Sequence, residues 1–136
     1  MYSFHHSAIS VSNIERSLDF YALLDFKKAG EWKAPDGSFI IVNLRNGDVL
    51  LELFCYNSPQ ALPKHSQSLD DDLPTLGVKH LGLQVDSIDD ARSDLKNKGL
   101  EIFHENVNEE RSGINYFFVK DPDGILIEIA EDNRDI

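Results

Sequence analysis

Residues 6–11 read HSAISV, and 74 positions further on residues 80–85 read HLGLQV. Each run starts at a histidine, reaches a valine five residues later and alternates in part, which is the pattern of a strand with one buried face. The first strand spans His6 to Val11 and the second Lys79 to Val85. A helix-start signal follows each. In SNIERSLDFYALL, Ser12 or Asn13 caps the helix and the Ser12–Glu15 spacing has the form of a capping box; Ser87-Ile88-Asp89-Asp90 offers the second. Ile14, Leu18, Tyr21 and Leu24 or Ala22 then recur at helical spacing. Ile88, Ala91 and Leu95 do the same in the second copy, and Gly99 stands as its C′ residue.

Working outward, each helix is followed by three short strand candidates. In the first half these are Lys28–Lys33, Phe39–Leu44 and Val49–Phe54, parted by Pro35-Asp36-Gly37 and Asn46-Gly47. In the second half they lie near Glu101–His104, Asn115–Val119 and Ile125–Ala130, the last two joined by Pro122-Asp123-Gly124. The chain therefore reads as one α+β domain over 1–136, built from two βαβββ modules at 4–56 and 78–131. The connection, 57–77, contains Pro59, Pro63, Pro74 and the acidic run Asp70-Asp71-Asp72, and is expected to be a loop. Loops of this length often serve as lids, arms or intersubunit contacts.

Composition narrows the function. A formal charge of −11 lacks the basic footprint that nucleic acid requires. No run approaches the roughly 20 apolar residues that span a bilayer, and MYSFHHSAIS has neither part of a signal peptide, so the expected location is the cytoplasm. The one cysteine, Cys55, excludes an internal disulfide and a cysteine-rich zinc site, and reads as a buried thiol past an apolar strand.

The repeat also aligns chemistry. Glu52 in LLELF and Glu128 in LIEIA each interrupt the apolar last strand of their module, as His6 and His80 head the first. A carboxylate buried alone costs several kcal/mol or loses its charge. A divalent ion neutralises two carboxylates while accepting two imidazoles. Two nitrogens with two carboxylate oxygens suit zinc, nickel, cobalt, manganese or ferrous iron better than calcium. His5, next to His6 on a strand, is expected to point to the opposite face. His65 and His104 have no repeated counterpart, and Lys120 is a candidate for meeting an anionic substrate.

HSAISVSNIERSLDFY, LLELFCYN, KHLGLQV and KDPDGILIEI together resemble the vicinal oxygen chelate superfamily, which includes glyoxalase I, methylmalonyl-CoA epimerase, extradiol dioxygenases and the fosfomycin and bleomycin resistance proteins. The resemblance implies paired modules curled into a half-open barrel around one metal ion. His6, Glu52, His80 and Glu128 fall on all four ligand positions of the glyoxalase I pattern. It further implies conversion of a 2-oxoaldehyde–thiol hemithioacetal to a 2-hydroxyacyl thioester through an enediolate, with Glu128 or Glu52 as the base. A homodimer with ligands shared between chains is implied as well. Ser10 stands where glyoxalase I has an arginine for glutathione, and Asn57 is one residue out of register, which leaves the thiol open. Epimerase, extradiol dioxygenase and non-catalytic binding readings remain alternatives.

Overall fold

The computed structural model describes residues 1–107 and 113–135. The chain divides into two compact units, Met1–Ala61 and Leu62–Ile136, each holding one four-stranded mixed sheet. This is the expected α+β class. Among the described residues, no helix is long and apolar enough to cross a membrane.

The first unit runs β1 (Ser7–Ser10), α1 (Ile14–Leu23), β2 (Lys27–Lys33), β3 (Phe39–Asn46) and β4 (Val49–Tyr56), with sheet order β1-β4-β3-β2. β1 lies parallel to β4, and the other pairs are antiparallel. Asn13, not Ser12, caps α1: its side chain accepts from the Arg16 N–H, while Ser12 Oγ accepts from the Arg16 guanidinium. Of the expected face, Ile14 and Leu18 are half-buried and Ala22 is exposed, while Tyr21 and Leu24 are buried, joined by Ser17 and Phe20. These residues share the core with Val42, Leu44, Leu51 and Leu53. β3 runs two residues longer than expected because Gly47, with φ +54°, lets a two-residue turn close the hairpin at Asn46 opposite Val49, and β4 extends to Tyr56 by pairing with Phe39. Cys55 lies within β4, half-buried, rather than past its end.

The second unit contains a 3-10 turn (Lys64–Gln67), a one-turn helix α2 (Leu69–Asp72), β5 (Leu81–Gln84), α3 (Ile88–Asn97), β6 (Phe103–Asn106), β7 (Ile114–Lys120) and β8 (Leu126–Asp132). Its order β5-β8-β7-β6, with β5 parallel to β8, repeats the first sheet. Ser87 caps α3 by accepting from the Asp90 N–H, and Gly99 follows the helix with φ +83°. The Glu131 carboxylate on β8 accepts the Ile88 N–H at 2.8 Å, which ties the start of α3 to the sheet and lowers the acid's pKa. Ile88 and Leu95 are buried together with Phe117, Val119, Ile127 and Ile129.

The connection is more than the loop expected of it. Leu69 of α2 packs with Phe118 and Leu126, against partly buried Phe103 and Tyr116, in a small second core. One member of the acidic run is neutralised to allow this. Asp72 is only 3% exposed; Ser66 Oγ donates to its Oδ1 at 3.0 Å, and the Lys79 ammonium lies 3.6 Å from its Oδ2. A buried charge held by a cation and a hydroxyl is the arrangement that sequence periodicity does not reveal.

Candidate metal centre

Residues opposite one another in a sheet project to the same face, and successive residues of a strand to opposite faces. In the first unit, Glu52 stands opposite Ala8 on β1 and Asn43 on β3, and Asn43 stands opposite Gly30. The neighbours Leu51 and Leu53 are buried in the core on the other face, so Glu52 is turned away from it. His6, just ahead of β1, lies beside Glu52. Its Nε2 lies 3.4 Å from Glu52 Oε2, and the two side chains are 39% and 23% exposed.

The second unit repeats the arrangement more tightly. Glu128 stands opposite Gly82 and Phe118, and Phe118 opposite Phe103. His80 Nε2 and Glu128 Oε2 are 2.9 Å apart, with 23% and 20% of the side chains exposed. The His80 ring meets Phe118 edge to face, with centroids 5.0 Å apart. Its Nδ1 is buried and has no hydrogen-bond partner among the described residues.

Each unit thus brings together one imidazole nitrogen and one carboxylate oxygen. Among the described residues, no group of three or more histidine, cysteine, aspartate or glutamate side chains is gathered to hold an ion. The pairs nonetheless fit half of a metal shell. Ligands about 2.0–2.2 Å from a common ion, at tetrahedral or octahedral angles, have donor atoms roughly 2.8–3.6 Å apart. Separations of 2.9 and 3.4 Å match that, and nitrogen with carboxylate oxygen suits a borderline transition metal.

The remaining candidates sort by contact. Lys120 Nζ donates to the Gln67 carbonyl at 2.9 Å and sits 5.1 Å from the centre of the Phe103 ring, beside a recess of about 250 Å³ lined also by Glu101. His65 lies 3.9 Å from Asp72. His104 occupies a bulge between Phe103 and Asn106 with φ +50°, its ring edge-on to Phe103 and Phe118. His5 does not turn away from His6. Both precede β1, where strand alternation does not bind them, and their Nδ1 atoms are 2.7 Å apart.

Phe118 is the site neighbour that residue-type reasoning passed over. A signal for it existed: the hairpin centred on Pro122-Asp123-Gly124 sets Phe118 and Glu128 at equal distances from the turn. Leu69 gave no comparable signal, because α2 is a single turn with no periodicity to read.

The family model for the Glyoxalase/Bleomycin resistance protein/Dioxygenase superfamily matches residues 3–129. The chain belongs to this superfamily. Among its relatives, the uncharacterized protein YwkD of Bacillus subtilis (strain 168) is 30% identical over 132 residues, covering 95% of this chain and 96% of that protein. A lactoylglutathione lyase of Neisseria meningitidis serogroup A is 26% identical over 129 residues, covering 93% and 88%. The crystal structure of a glyoxalase family protein from Enterococcus faecalis superimposes with a TM-score of 0.79 at 30% identity, covering 95% of this chain and 97% of that one. Superfamily members of this kind act on or bind small molecules, and lactoylglutathione lyase stands among the distant relatives of this chain.

Proposed function

We propose that the protein is a metal-dependent lyase of the glyoxalase I type, isomerising the hemithioacetal of a 2-oxoaldehyde and a thiol to a 2-hydroxyacyl thioester. One observation carries this reading. The same His–Glu pair occurs twice, at corresponding positions of two folded units, with donor atoms 3.4 and 2.9 Å apart. His6, Glu52, His80 and Glu128 would hold one divalent ion, with zinc, nickel or cobalt favoured over manganese or iron, when the two units pair. Pairing across a homodimer would join His6 and Glu52 of one chain to His80 and Glu128 of another. The units together would then act as one functional domain spanning 1–136.

A bound ion would supply Lewis acidity, polarising the substrate's carbonyl and so acidifying the C–H of the adjacent hydroxyl-bearing carbon. The chain's own groups do the rest. Glu128 takes the proton from that carbon and delivers it to its neighbour, with Glu52 as the base from the opposite side of the substrate. His6 and His80 keep their Nε2 atoms toward the ion and take no part in proton transfer. Phe118, walling His80, keeps water from one side of the exchange. A thiol adduct as substrate suits the cytoplasm, where thiols stay reduced.

The test is reconstitution of metal-free protein with zinc, nickel, cobalt, manganese or ferrous iron, assayed with methylglyoxal premixed with glutathione or other cellular thiols. Thioester formation that depends on the metal and on one thiol is the expected result. Tight metal uptake with no turnover for any thiol would overturn the lyase assignment and favour an epimerase, a dioxygenase or a binding protein.

A further inference from the structure

The two histidines of the proposed centre are oriented by different means. His80 is 23% exposed, and its ring is held edge-on against Phe118. The first unit offers no such wall. Where β7 places Phe118 opposite Glu128, β3 places Asn43 opposite Glu52, and the position beyond Asn43 is Gly30 rather than Phe103. His6 is 39% exposed and lies ahead of β1, where no ladder fixes its backbone. An imidazole this free has several rotamers and two N–H tautomers open to it, and only one combination directs a lone pair toward Glu52. One contact among the described residues bears on that choice: His5 Nδ1 lies 2.7 Å from His6 Nδ1, with the rings perpendicular at 88° and their centroids 5.0 Å apart, so one ring donates to the other.

Resting on the metal reading above, we infer that His5 is the positioning partner of His6. In the metal-loaded protein His6 donates its Nδ1–H to the Nδ1 lone pair of His5, which leaves His6 Nε2 as the ligand atom beside Glu52. This follows from the inventory of the ring. A neutral imidazole has one donor and one acceptor nitrogen, so using Nε2 as a ligand commits Nδ1 to donating. Ligand histidines generally fix their tautomer by such an outer hydrogen bond, and losing it typically costs about 10–100-fold in metal affinity. Here the acceptor is supplied by the adjacent residue in sequence. It reaches His6 only because the pair precedes the strand instead of alternating along it.

The experiment uses the full chain with ring-15N histidine, loaded with zinc. A scalar coupling between the Nδ1 atoms of His5 and His6 across the hydrogen bond is expected, with the proton resident on His6. In parallel, zinc affinity is measured by chelator competition for wild type, His5→Ala and His5→Asn. His5→Ala should bind about 10–100-fold more weakly, and His5→Asn, whose side-chain oxygen lies near the place of Nδ1, should recover most of the loss. His5 is exposed and outside the strands, so all three proteins should melt alike when metal-free. Absent coupling, equal affinity of His5→Ala and wild type, or zinc bound by both rings overturns the role given to His5. A wild-type protein that takes up no divalent ion overturns the metal reading and this inference with it.

Discussion

Glu128 stands directly opposite Gly82 across the parallel β5–β8 pair, as Glu52 stands opposite Ala8 across β1–β4. A Cβ added at Gly82 would come 3.8 Å from Glu128 Oε2, an ordinary contact, so the second unit has room for the alanine that the first unit carries. A branched side chain would add methyl groups beyond that Cβ, beside the carboxylate. Gly82→Ala should leave zinc affinity unchanged and stabilise the protein by about 0.4–1 kcal/mol through the unfolded chain. Gly82→Val should push the carboxylate aside and weaken zinc binding by about tenfold or more. Chelator competition and urea melts on the two variants check both outcomes.

Glu128→Gln preserves the size of the side chain and removes its basicity. Turnover of the hemithioacetal should fall by about 100- to 10,000-fold, with the thermal midpoint little changed. A Glu128→Gln protein with full activity would sink the base assigned here.

Leu69 ties the connection between the modules to β7 and β8. Its replacement by alanine opens a cavity beside Phe118 and should cost about 2–5 kcal/mol. The loss should register as earlier hydrogen exchange in β7 and α2 than in β3 and β4. Equal loss of protection in both units would contradict the local role described for Leu69.

Acid should loosen the end of β8 first. The Arg134 guanidinium bonded to Asp132 holds that carboxyl down from 3.8 to about 2. A depressed carboxyl pKa contributes stability above the unfolded value, and the contribution disappears as pH falls from about 4 toward 2. Glu131 is lowered as well, chiefly by the Ile88 N–H, and adds to the loss on the same side. Asp132→Asn should flatten the pH dependence of stability in that window, read by denaturant midpoints at successive pH values.

Much of the architecture was legible because both modules use strong local signals. Asn13 and Ser87 cap their helices, Gly47, Gly99 and Gly124 take positive φ where turns demand it, and buried residues alternate along β4. The pairing of His6 with Glu52 and of His80 with Glu128 followed from the repeat. Other features were hidden because they depend on contacts made only after folding. Asp72 is buried by Lys79 and Ser66, which periodicity cannot register. His5 was assigned to the far face by strand alternation, yet β1 begins one residue after His6, so that rule never applied to it. On α1, Ser17 and Phe20 join Tyr21 and Leu24 in the core, and a buried serine is not an apolar position that periodicity registers.

The parallel pairing of each unit's first strand with its last has a consequence for the life of the newly made chain. His80 and Glu128 are 48 positions apart, and neither they nor His6 and Glu52 can meet until the whole of their unit has condensed. An ion held by all four side chains would therefore depend on both long-range strand pairings at once, so that its affinity would report the folding of each unit.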